Sequence, residues 1–135
     1  MGMSQVIILD THIWIWFILQ EFEQFPSHWR DVIETADTVA ISPVYCYEVA
    51  LAEQKGRLQL PCNTELWLQD ALEPSGITLL PITAQIAYKA VSLSPIHKDP
   101  FDRLIIATTL VNKAKLASID NLFSKYSELD PYLMK

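Results

Sequence analysis

Val6-Ile7-Ile8-Leu9-Asp10 and Lys115-Leu116-Ala117-Ser118-Ile119-Asp120 decide the fold. The first is a run of branched apolar side chains without the alternation of a half-exposed strand, as expected for a strand covered on both faces, and an aspartate stops it. The second ends the same way. Thr38-Val39-Ala40-Ile41 and Ile77 to Ile82 supply two more short apolar strands, the latter with Pro81 marking an edge position or its last residue. Between these runs lie helical patterns. Thr11 to Gln20 is one, and Ser27 is read as the N-cap of another over Trp29 to Ala36. Ser42-Pro43 opens a helix that Gly56 closes after Lys55, and Thr64 to Leu72 forms the next. Thr83 caps a helix to about Val91. After the loop Ser92 to Lys98, Asp99-Pro100 opens the last helix, Phe101 to Lys113.

Strands alternating with helices predict a three-layer α/β/α domain around a central, mainly parallel sheet of four or five strands. The last fifteen residues leave the fifth strand open. The 135 residues form one expected domain, 1–135, large enough to bury roughly two thirds of its unfolded surface without disulfides or a structural metal. Cys46 and Cys62 fit no zinc spacing and are read as reduced thiols. The longest apolar run, Ile13 to Leu19, is far short of the roughly 20 residues that span a bilayer. The N-terminus has no basic n-region, and Asp10 and His12 interrupt its first apolar stretch. No membrane span and a cytoplasmic location are expected.

Ten Lys and Arg stand against sixteen Asp and Glu, a formal charge of −6, which argues against a polyanionic partner unless some carboxylates converge on a metal. In an open parallel sheet, ligands bind at the carboxyl ends of the strands, where Asp10 and Asp120 fall. Each also has a plain reading as the N-cap of the next helix. Asp99 reads as the N-cap of its helix and Asp102 as a first-turn acid favoured by the helix dipole, and Asp102 could also face the same crevice. Glu48 lies in the apolar stretch Val44 to Ala52, on the face of Val44, Leu51 and Ala52. It needs either an ion pair or a metal. Together Asp10, Glu48, Asp102 and Asp120 make an all-oxygen set suited to Mg²⁺, with Mn²⁺ as alternative, and Thr11 could orient a water.

The pieces Leu9-Asp10-Thr11-His12-Ile13-Trp14, Ser42 to Ala50, Lys55 to Pro61, His97 to Ala107 and Ser118-Ile119-Asp120 run in one order over nearly the whole chain. That combination resembles PIN-domain ribonucleases, and most closely the VapC-type toxins of bacterial toxin–antitoxin pairs. The resemblance implies that Asp10, Glu48, Asp102 and Asp120 are the catalytic and metal-binding acids, with Thr11 and Asp99 beside them. It also implies an RNA substrate, a cognate antitoxin and a homodimer. The closing segment Leu129 to Lys135 departs from the longer or more aromatic one the family often has. Lys55, Arg57, Lys98 and Arg103 flank the acidic pieces as candidate phosphate contacts, each with an ordinary surface or helix-end reading. His12 and His97 adjoin site residues, and Trp14, Trp16 and Phe17 exceed one core stripe, so an apolar groove for a partner helix is open beside ordinary core packing. The rival to the nuclease is a catalytically silent PIN-like interaction module. A phosphatase or receiver domain is disfavoured because Asp10-Thr11-His12 lacks the Asp-x-Asp of one and the paired acids of the other.

Overall fold

The computed structural model describes residues 5–96 and 98–135. In chain order the elements are β1 (Val6–Leu9), α1 (Thr11–Ile18), α2 (Ser27–Thr35), β2 (Thr38–Ile41), α3 (Pro43–Gln54), α4 (Thr64–Asp70), β3 (Ile77–Leu79), α5 (Ala84–Ser92), α6 (Pro100–Val111) and β4 (Lys115–Ala117). The strands lie in the order β3-β2-β1-β4, and every pairing is parallel. Ile7 sits between Val39 on one side and Lys115 on the other. Ile7, Ile8 and Leu9 have no exposed surface, as a central strand covered on both faces requires.

The order carries a topological switch. From β1 the chain builds outward through β2 to β3, then returns to place β4 on the opposite side of β1. The connections leaving β1 and β4 therefore part in opposite directions, and a crevice opens beyond their carboxyl ends. Trp14 of α1 closes the core beneath it, its ring 5.0 Å from that of Trp67 and its indole N–H donating to Ala71 O at 3.0 Å. Trp16 and Phe17 are half-buried against the same core, Trp16 with its ring tilted against that of His12 and Phe17 edge-on to Phe22. The aromatic excess of α1 is thus mostly internal packing. Among the described residues no helix is long and apolar enough to cross a membrane, and Cys46 and Cys62 are free thiols.

Several boundaries differ from expectation for local reasons. Ser27 does not cap α2: it is the first helical residue, and Pro26 occupies the cap position with no side-chain hydrogen bond. β3 stops at Leu79, two residues before Pro81, which cannot donate to a ladder. α1 ends at Ile18, and Gln20 turns the chain with φ 61°. The C-terminal segment adds no full strand. Leu133 makes a single parallel bridge to Leu116, and the Met134 N–H donates to Leu116 O at 2.9 Å.

Arg103 is a candidate RNA contact by sequence, and the structure gives it another task. Its Nε donates to Ala90 O at 3.0 Å, its Nη1 to Ser94 O at 2.9 Å, and its Nη2 to Leu93 O at 2.9 Å and Val91 O at 3.3 Å. These carbonyls belong to the end of α5 and the residues after it, where a helix leaves acceptors without partners and favours a cation. Arg103 thereby ties the start of α6 to the end of α5. Arg103→Ala should lower the unfolding free energy by about 2–3 kcal/mol, read from urea denaturation; an unchanged midpoint would refute the clamp.

Candidate metal-binding cleft

The crevice at the switch point is a cavity of about 590 Å³, lined by Asp10, Glu48, Asp102 and Asp120 together with Thr11, His12, Tyr45 and Arg57. The four acids come from four separate segments: the end of β1, the middle of α3, the first turn of α6 and the turn after β4.

Asp10 satisfies both of its sequence readings. One carboxylate oxygen accepts from the Thr11 N–H at 2.5 Å, capping α1, and the other accepts from the Ser118 hydroxyl. Burial raises its pKa, opposed by the Ser118 and Thr11 hydrogen bonds and by nearby His12, and reinforced by the Asp120 charge. Glu48 accepts from the Thr11 hydroxyl at 2.7 Å, so its partner is a neutral donor and not the lysine or arginine of the ion-pair reading. Burial raises its pKa too, against the pull of Thr11 and with help from the charges of Asp10, Asp102 and Asp99. Thr11 is buried and joins the two acids through its amide and its hydroxyl.

Asp102 enters the cleft from the third position of α6, behind the cap formed by Asp99, whose carboxylate accepts from the Phe101 N–H at 2.9 Å. Asp99 itself does not line the cavity. Asp120 stands exposed at the mouth, accepting from the Leu122 N–H at 2.9 Å. Its own N–H donates to the Ser118 hydroxyl at 3.0 Å. Ser118 therefore bridges the Asp120 backbone and the Asp10 carboxylate, a position that sequence reasoning passed over. Its signal was the small polar residue interrupting Leu-Ala-Ser-Ile-Asp at a strand end.

Of the basic candidates, Arg57 alone is placed at the cleft. Gly56, with φ 73°, makes the left-handed turn after α3 that brings it there. Lys98 is exposed and off the lining, Lys55 is the C-cap of α3, and His97 lies outside the described residues.

Among the described residues no three His, Cys, Asp or Glu side chains are drawn into a closed metal cage. The donor chemistry nonetheless fits a hard divalent cation. All four groups offer oxygen, two are held protonation-prone by burial and mutual repulsion, and Mg²⁺ needs few carboxylates because it keeps several waters.

A family model for the PIN domain matches residues 7–129. The chain belongs to the PIN-domain family. This PIN domain is 30% identical to Ribonuclease VapC22 of Mycobacterium tuberculosis over 115 residues, 84% of this chain and 86% of that one. Its fold resembles VapBC2 from Rickettsia felis, solved bound to a promoter DNA fragment, with a TM-score of 0.69 at 17% identity over 96% of this chain and 98% of that one. VapBC-1 from nontypeable Haemophilus influenzae gives a TM-score of 0.66 at 18% identity, over 97% and 98%. The three-layer architecture expected from the strand pattern is the PIN fold.

The raised carboxyls have a consequence for stability. A carboxyl whose folded pKa exceeds its unfolded value contributes stability that is fully present below the unfolded pKa and is lost as pH rises through the folded one. Metal-free Asp10→Asn should therefore melt higher than metal-free wild type at pH 7. The gap should close as the pH falls toward the ordinary aspartate value of 3.8. Calorimetry in EDTA across that range checks the sign; a variant that melts lower at pH 7 contradicts it.

Proposed function

We propose that this PIN domain is a metal-dependent endoribonuclease and the toxin half of a toxin–antitoxin pair. One observation carries the reading: four carboxylates from four segments converge on one cleft at the switch point of the sheet, with Arg57 on its lining. The likeness to a ribonuclease over most of both chains supports RNA as substrate. The likeness to VapBC complexes supports a cognate antitoxin as partner. A homodimer and a cytoplasmic location complete the proposal.

In this reading Asp10, Glu48, Asp102 and Asp120 hold Mg²⁺, or Mn²⁺ in its place. The bound ion supplies an acidified water and charge neutralisation for phosphodiester hydrolysis. The chain's own groups set the geometry. Thr11 fixes one oxygen of Glu48 and leaves the other for the ion or a water. Ser118 and the Thr11 amide fix both oxygens of Asp10. Arg57, on the lining of the same cleft, holds a phosphate of the substrate. Water oxygen joins phosphorus, the bond to the leaving ribose oxygen breaks, and that oxygen takes a proton, with no covalent enzyme intermediate.

Asp102→Asn should abolish cleavage of labelled RNA in Mn²⁺ while leaving the melting temperature near or above that of wild type. EDTA should silence the wild type equally. A folded wild type that binds metal and antitoxin but cleaves no RNA would favour the silent interaction module. In the inactive Asp102→Asn background, Arg57→Ala should weaken RNA binding and reduce the salt dependence by about one counterion. An unchanged slope in a fluorescence-anisotropy titration would remove Arg57 from the phosphate contacts.

A further inference from the structure

Three hydroxyl side chains surround the acids, and two of them are engaged. Thr11 donates to Glu48 and Ser118 to Asp10. The third is Tyr45, in the first turn of α3, one helical turn before Glu48 and on the same face. Its side chain is 2% exposed and lines the cleft, and its hydroxyl is buried without a hydrogen-bond partner among the described residues.

A buried hydroxyl without an acceptor is costly, and most such groups in folded proteins find one. The acceptors in surplus at this cleft are carboxylate oxygens. Burial first, then the charges of Asp10, Glu48, Asp102 and Asp120, hold the phenol well above its ordinary range, so it keeps its proton and can act as a donor. Without a cation the charges of the acids repel one another, and among the described residues they are not gathered into a cage. A divalent cation held by these acids would offset that repulsion and draw their oxygens together in the cleft that Tyr45 also lines.

We propose that Tyr45 is a positioning residue whose phenol O–H donates to a carboxylate oxygen of the acid set when a divalent cation draws those carboxylates together. The proposal rests on the cation-binding reading above. Tyr45 touches neither substrate nor reacting atoms. It acts through the ligands, as outer hydrogen bonds orient metal-binding carboxylates generally. Its hydroxyl destabilises the cation-free protein and stabilises the loaded one, a reversal of sign that a purely structural tyrosine does not show.

The test is Tyr45→Phe, which keeps the ring. Melting in EDTA should match or exceed wild type, while Mn²⁺ affinity, read from the electron paramagnetic resonance of free Mn²⁺, should fall about tenfold or more. On Mn²⁺ addition, ultraviolet resonance Raman spectra of the wild type should move one tyrosine toward the donor pattern, a change absent from Tyr45→Phe. A lower melting temperature in EDTA would reveal a structural partner and overturn the proposal. Equal Mn²⁺ affinity in the two proteins would overturn it while leaving the cation reading intact. Wild type that binds no Mn²⁺ would overturn both. A wild-type Raman spectrum left unchanged by bound Mn²⁺ would also overturn it, with no reference to the variant.

Discussion

The Asp10 carboxylate accepts the Thr11 amide on one oxygen and the Ser118 hydroxyl on the other, and that pair of hydrogen bonds sets the placement of the surrounding elements. The Asp10 N–H continues the β1–β4 ladder to Ala117 O at 3.0 Å, and its carbonyl accepts from Trp14 N at 2.8 Å in the first turn of α1. One residue thus ends the central strand, starts the helix and binds the turn after β4. Because β1 is buried on both faces, this junction cannot shift without disturbing the sheet. The cleft inherits its rigidity from the strand beneath it.

Charge works against that rigidity. Asp10 and Glu48 are both pushed toward their protonated forms by burial and by neighbouring carboxylates, so the site is locally unfavourable in the metal-free protein. The compensation lies elsewhere, in the fully buried side chains of Ile7, Ile8, Leu9, Trp14 and Ile41 directly under the cleft. Four of the sixteen acids behind the formal charge of −6 line the cleft, with Arg57 beside them. Global charge and local potential therefore point in different directions. If RNA is the substrate, as proposed, its binding at this cleft would depend on a cation and on Arg57 more than on a basic surface.

Legibility from the sequence divides along physical lines. Asp10 and Asp120 were legible because a charged residue ending an apolar run has few roles, and the parallel-sheet rule places both at one edge. Glu48 was legible because an acid among apolar helical neighbours needs an explanation. Ser118 and Tyr45 were not, since a hydroxyl within an apolar run looks like core filling, and its donor direction is set by tertiary packing. Arg103 shows a placement that sequence order hides. Adjacent helical residues point roughly 100° apart, so Asp102 faces the cleft while Arg103 turns to the carbonyls ending α5. Sequence proximity to an acid was no guide to spatial proximity. The closing segment was unreadable for a similar reason: its contact with the sheet is a single bridge, too short for any period to form.

The hydrogen-bond donors to Asp10 and Glu48 among the described residues are neutral: an amide and two hydroxyls. A lysine or arginine in those places would satisfy the same lone pairs, yet it would also cancel the charge that attracts a divalent ion, and it would compete for the same oxygens. Neutral donors orient a carboxylate while leaving its charge available. They hold the oxygens more weakly than a salt bridge does, so the carboxylates can regroup around an ion. The one arginine at the cleft comes from the turn after α3, where it can meet a phosphate without pairing with the buried acids. The division between neutral donors at Asp10 and Glu48 and an arginine on the lining is what would let one small domain serve, in the proposed function, a metal ion and a phosphate within a single cavity.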